Sequence, residues 1–326
     1  MLAATGVMTG LIAGCGAESQ AAAPPTRGGL WTAYHSADGE RNVRARDFLR
    51  HRRLPEQIAE RLNKRLSVRT RIGIVGRACG DSDVSYDPEK GRIDLCYEFV
   101  DEVRGMFSER AESAVADARD GGSGSSGDSH AGYVPTSRGN LPGARVEQTT
   151  DLGRRATTSR KARTGRTTGL GDRTTDPGDR AGGDLDERTA GVVTETLYHE
   201  IAHALIDRLD LPIVGREEDV ADQFAAYNLV PQGARGRAAL LAAADNYTLY
   251  AERTDPQDID YSDEHLPDAA RSANYRCYLY GAAPGRERAL VDGERLTKAR
   301  AELCEDEYHD LRRGWTVLLA PYRTSR

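Results

Sequence analysis

The stretch His199-Glu200-Ile201-Ala202-His203 sets two imidazoles four residues apart, with a carboxylate directly after the first. On an α-helix this spacing puts both rings on one face, one turn apart, where they can share a metal ion. Glu200 then projects to the side of that ion, where a water would sit. Two neutral nitrogen donors and an adjacent carboxylate base are the parts that metal-assisted hydrolysis of an amide requires. Five-residue patterns also arise by accident, so the flanks matter. Apart from Glu200, residues 196–205 hold no acid, lysine, arginine, proline or glycine. Such a run belongs to a buried helix, where two histidines and a glutamate are costly unless something satisfies them.

A zinc hydrolase site needs a third protein ligand and an open position for water. Leu211-Pro212 ends the first helix and Gly215 permits a reversal. Val220, Phe224 and Tyr227 then recur at helical spacing, which predicts a second helix. Glu218 and Asp222 lie four apart on it, on one face. Glu218 is the expected third ligand, and Asp222 the expected acceptor for the free N–H of a ligating histidine. Glu217 competes for the ligand position, but its neighbour one turn on is Ala221. Asp219 pairs only with Gln223, and Asp222 is itself an alternative ligand. The plain alternative is a solvated helix start, since acids favour the first turn.

The helix motif followed by Glu-x-x-x-Asp resembles the glutamate-zincin metallopeptidases. The longer runs, residues 197–207 (Leu-Tyr-His-Glu-Ile-Ala-His-Ala-Leu-Ile-Asp) and 209–223 (Leu-Asp-Leu-Pro-Ile-Val-Gly-Arg-Glu-Glu-Asp-Val-Ala-Asp-Gln), are more particular. They resemble a family of secreted bacterial metallopeptidases whose domain has no assigned function. The resemblance extends to Tyr86-Asp87-Pro88, Cys96-Tyr97-Glu98, Asp263-Glu264-His265 and residues 274–281, and covers most of 28–110 and 186–322. It implies a zincin-like fold, Zn2+ as the cofactor and a peptide or protein substrate. It also draws attention to His265 as a catalytic group that steadies the oxyanion, with Tyr261 as a second candidate. His35, His51, His130 and His309 show no ligand spacing.

The elements that must position these residues are legible in outline. Residues 30–35, 71–75 and 92–97 read as strands, with 84–86 as a further one. Pro55 suits a helix start, and Ile58, Leu62 and Leu66 form a helical stripe. Residues 97–107 predict a helix, and after the motif helix come helical patterns over 238–251, 268–280 and 296–319. Strands first and helices after predict an α+β fold: a small N-terminal twisted sheet, the motif helix, then a mostly helical part. An edge strand at 83–86, or at 92–96, is the place for an extended substrate to pair.

The chain ends and the middle add context. Residues 1–14 are apolar or small, too short to span a bilayer, and end in Ile-Ala-Gly before Cys15. This reads as a lipoprotein signal peptide with Cys15 as the lipidated residue, although no Lys or Arg precedes the apolar run. Residues 15–27 form a polar tether. The expected place is therefore outside the cytoplasm, anchored to the outer face of a bacterial membrane. The other cysteines, Cys79, Cys96, Cys277 and Cys304, allow three pairings. Chain proximity favours Cys79–Cys96 and Cys277–Cys304, structural bridges suited to an oxidising compartment. Residues 112–185 are rich in Gly, Ser, Thr, Arg, Ala and Asp and predict a disordered insertion. It divides the catalytic domain into 28–111 and 186–326. Residues 154–166 carry six basic side chains and no acid, and read as a solvated stretch. The net charge of −6 is mild and argues against nucleic acid as a partner.

Together these features predict a zinc metallopeptidase with Glu200 as general base. The contrasting class is a zinc-binding surface lipoprotein without turnover, acting as a scaffold or adaptor. Self-cleavage that Glu200→Gln abolishes separates the two. Neither substrate preference nor oligomeric state is legible.

Overall fold

The computed structural model describes residues 28–120 and 177–324. In chain order the first part contains β1 (Gly29–Tyr34), α1 (Gly39–Arg52), α2 (Leu54–Arg65), β2 (Arg71–Arg77), β3 (Val84–Asp87), β4 (Arg92–Cys96) and α3 (Tyr97–Asp120). The second part is helical: α4 (Pro177–Leu209), α5 (Glu217–Leu229), α6 (Ala234–Arg253), α7 (Asp268–Ala282), α8 (Lys298–Ala301) and α9 (Cys304–Leu318). This is the predicted α+β fold, with the sheet first. The strands run in the order β1-β2-β4-β3; the first three are parallel and β3 is antiparallel to β4. The central strands share one apolar face, while the other face of β4 carries Arg92 and Asp94, the latter paired with Arg92 and with Arg77 of β2. Ile72, Ile74, Ile93 and Leu95 are fully buried. They share one core with Leu197, Ile201 and Leu205 of α4, Phe224 of α5 and Trp315 of α9. Of the two edge strands, β1 and β3, it is β3 that lies against α4. The rival edge at 92–96 is therefore corrected: β4 is paired on both sides.

Several boundaries differ from expectation for identifiable reasons. The helix α1 was not anticipated, because only Ala45 and Leu49 of its fourteen residues are buried and, Val43 and Phe48 apart, the rest is polar. The pattern at 296–319 divides into α8 and α9, with a turn at Glu302-Leu303. The helices flanking the insertion also reach further than composition indicates. α3 continues to Asp120 and α4 begins at Pro177. Alanine and glutamate at 111–116 have high helix propensity without an apolar signal. Of the stretch 112–185 expected to be disordered, residues 112–120 and 177–185 are therefore helical. Residues 1–27 and 121–176 lie outside the described residues, and with them the signal peptide, Cys15, the tether, His130 and the basic stretch. Among the described residues no helix is long and apolar enough to cross a membrane. Both expected disulfides are present: Cys79–Cys96 joins the end of β2 to the end of β4, and Cys277–Cys304 joins α7 to α9.

Candidate metal centre

The motif helix delivers His199 and His203 to one face of α4, and α5 crosses it so that its first turn meets that face. Three ligand atoms converge there. His199 Nε2 lies 3.0 Å from Glu218 Oε2, His203 Nε2 lies 3.4 Å from the same oxygen, and the two Nε2 atoms are 3.1 Å apart. Each ring is tied on its other side to a carboxylate. His199 Nδ1 is 2.8 Å from Asp222 Oδ1, and His203 Nδ1 is 2.8 Å from Glu217 Oε1. An ionised carboxylate only accepts, so both Nδ1 atoms carry protons. In the neutral rings both Nε2 atoms are then lone pairs, facing each other and a carboxylate oxygen. Such a triangle repels itself unless a cation occupies it.

The dimensions suit a small ion. Metal–ligand distances of about 2.0–2.2 Å in tetrahedral geometry put ligand atoms about 3.3–3.6 Å apart, close to the observed edges. The surroundings are electrostatically negative. Burial works against a charged His199, but the hydrogen bonds the charged ring donates to Asp222 and Glu218 outweigh it and push its pKa up to about 10. Burial likewise opposes ionisation of Glu218, yet contacts with His199, His203 and His265 hold its carboxyl far below the usual range. The site therefore favours positive charge at its centre, whether proton or metal.

Glu200 is buried beside this cluster. Its Oε2 accepts a 2.8 Å hydrogen bond from the backbone N–H of Tyr86 on the edge strand. Burial raises its pKa, against the pull of His199, His203 and the Tyr86 N–H. The strand is clamped to α4 on its other side. The Tyr86 hydroxyl donates to Asp207 Oδ2 at 2.5 Å, and Arg208 reaches the carbonyl of Pro88. Three contacts thus tie the edge strand and the loop after it to the motif helix.

The structure brings together His199, Glu200, His203, Glu218, Asp222 and His265. His265 enters from the loop between α6 and α7, with Nε2 2.8 Å from Glu218 Oε2 and its ring stacked 6.1 Å from that of His199. A cavity of about 510 Å³ adjoins it, lined by Thr254, Asp260, Asp263, Leu266, Asp268 and Arg271 among others. Tyr261 is exposed on the same loop and makes no hydrogen bond with the cluster. A larger hollow of about 720 Å³ between Pro212–Val214 and α9 includes none of the cluster.

Four contacts escaped sequence reasoning. Glu217 is the partner of His203, a role hidden because the acid faces the ring across a loop rather than one turn along its own helix. Arg271 binds both oxygens of Asp222, with Nη2 2.7 Å from Oδ1 and Nε 2.9 Å from Oδ2. The Tyr275 hydroxyl lies between Asp222 Oδ1, at 2.9 Å, and Glu195 Oε1. Glu195 is fully buried, and its desolvation, with the charge of Asp222 beside it, raises its pKa to about 7. Its signal was present: an acid one turn before His199, at the edge of an apolar run.

Comparison with known proteins bears on this geometry. A family model with the description "Putative metallopeptidase" matches residues 34–124 and 169–319, which include every member of the cluster. No curated protein and no solved structure matched. The match spans more than half of the chain, omits residues 125–168 and takes in both halves of the fold, so the chain belongs to this family.

Proposed function

We propose that the chain is a zinc-dependent metallopeptidase in which His199, His203 and Glu218 hold the ion and Glu200 is the general base. Family membership implies a metal ion and a peptide or protein substrate. The convergence of two imidazole lone pairs and a carboxylate oxygen on one point carries the finer reading. When bound, zinc supplies Lewis-acid polarisation of a carbonyl and lowers the pKa of a water toward neutrality. Glu200 takes the proton of the attacking water. Its Oε2 is steadied by the Tyr86 N–H, which leaves Oε1 for the transfer. The same carboxyl then passes the proton to the leaving nitrogen. His265, on the partly exposed rim, donates a hydrogen bond to the oxyanion. The outward edge of β3 pairs with an extended peptide and holds its carbonyl beside Glu200.

Metal content measured by mass spectrometry on the folded chain, together with hydrolysis of a peptide library, tests this reading. About one zinc per chain, lost in His203→Ala, and cleavage abolished in Glu200→Gln are expected. Folded protein without a tightly bound transition metal overturns the metal site. Undiminished hydrolysis by Glu200→Gln overturns the base.

Export with lipidation at Cys15 is part of the same proposal. Its support is the short apolar leader and the two disulfides, which persist in oxidising compartments. In a bacterial host, Cys15→Ser is expected to move the chain from the membrane fraction to the soluble one. Unchanged membrane association in that variant removes the lipid anchor.

A further inference from the structure

We infer that Arg271 and Tyr275 are positioning residues: from one face of α7 they fix Asp222, and through it the His199 ring, so that α7 sets the metal affinity of the centre. The inference rests on the metal-centre reading above.

Arg271 and Tyr275 are four residues apart, so one helix face presents both. Asp222 Oδ1 receives three donors: His199 Nδ1 at 2.8 Å, Arg271 Nη2 at 2.7 Å and the Tyr275 hydroxyl at 2.9 Å. Oδ2 receives Arg271 Nε at 2.9 Å. A two-point guanidinium contact fixes the plane of a carboxylate as well as its position. The guanidinium is itself held, lying over the Tyr247 ring with its carbon 4.2 Å from the centroid. A buried carboxylate with only an imidazole N–H for company would carry a large desolvation cost, and Arg271 offsets it with a full opposite charge. Asp222 then remains a pure acceptor. His199 must donate through Nδ1 and turn its Nε2 lone pair toward Glu218 and His203.

The Tyr275 hydroxyl adds a second link. It touches Glu195 as well as Asp222, and Glu195 lies one turn before His199 on α4. One side chain of α7 thus bridges the helix that bears His199 and the residue that orients its ring. On the motif helix itself, His199 reaches Asp222 and Thr196 reaches Glu195 at 3.4 Å, but neither joins the two carboxylates. A role in packing alone would leave the metal's affinity and spectrum untouched, and this separates the two explanations.

The test uses the full chain, stripped with a chelator and titrated with Zn2+ against a chromophoric competitor. Co2+ is then added for its visible spectrum. Tyr275→Phe keeps the ring and removes only the hydroxyl; Arg271→Lys keeps the charge and removes the fork. Each is expected to lower zinc affinity by about 10-fold or more and to change the Co2+ spectrum. Melting of the metal-free protein is expected to fall by no more than roughly 10 °C, the cost of about one buried hydrogen bond. In an Asp222→Asn background, Tyr275→Phe is expected to cost no further affinity, because it acts through Asp222. Parent-like zinc affinity in both single variants overturns the inference, as do losses that multiply in the Asp222→Asn background. Arg271→Lys keeps the test decisive should Tyr275→Phe fail to fold. Loss of zinc in His203→Ala with full retention in both α7 variants defeats the positioning role alone. A parent chain that binds no zinc defeats the metal centre and this inference together.

Discussion

Each imidazole of the cluster has its Nδ1 tied to a different carboxylate, and the two ties differ in environment. Asp222 is buried, whereas Glu217 is about half exposed. A hydrogen bond to an ionised partner is worth more where water does not compete for it. Asp222→Asn is therefore expected to cost more metal affinity than Glu217→Gln. Within the about 10–100-fold range for residues that orient metal ligands, Asp222 belongs at the upper end and Glu217 at the lower. Competition titration with zinc measures both, and equal losses would mean that orientation counts and burial does not. Glu200 makes the opposite case. It touches the edge strand and not the ligands, so Glu200→Gln should leave zinc content unchanged. Turnover should fall by about 10²–10⁴, the usual contribution of a positioned base. Glu218→Ala, by contrast, should release the metal, and retained zinc there would transfer the ligand role to another acid of α5.

At the scale of elements, α7 links the site to the rest of the helical part. The loop just before it carries His265, its first turn carries Arg271, its middle carries Tyr275, and its end crosses α9 at Gly281. A Cβ on Gly281 would sit 2.0 Å from the carbonyl oxygen of Cys304. Neighbouring Cys277 is joined to Cys304 itself, so the two helices cannot simply part. Gly281→Ala is expected to destabilise the protein by about 1–3 kcal/mol, as overpacking does, and the melting temperature should report it. A parent-like melting temperature would show that the crossing yields. The elements differ in how much of this could be read in advance. The strands 71–77 and 92–96 announced themselves through buried isoleucine and leucine, and α2 through the Ile58–Leu62 stripe. The helix α1 buries too few side chains to leave a pattern. The Gly281 crossing leaves no trace either, because a close approach depends on a backbone far away in the chain.

For the molecule as a whole, the legible part of the site was the part that is local in sequence. His199, Glu200, His203, Glu218 and Asp222 sit on two consecutive helices, where a period of 3.6 residues relates position to face. Glu217 was misjudged because its neighbour one turn along α5 is Ala221, and nothing on that helix signals its pairing with His203. Arg271, Tyr275 and Glu195 depend on α7 folding back over α4 and α5, which no periodicity encodes. A centre assembled from three helices and a loop should bind metal only in the folded state, and this couples occupancy to global stability. Zinc at about a thousand times its dissociation constant would add about 4 kcal/mol. At about 2–4 °C per kcal/mol for a domain of this size, that is a rise of roughly 8–16 °C in melting temperature. Treatment with a chelator is expected to lower the melting temperature by that amount, and added zinc to restore it. His203→Ala should melt near the stripped parent and respond to neither treatment. A parent chain equally indifferent to chelator and zinc would place no metal among the forces that hold the four site elements together. Stability would then rest on the core that Ile72, Ile201, Phe224 and Trp315 share, together with the two disulfides.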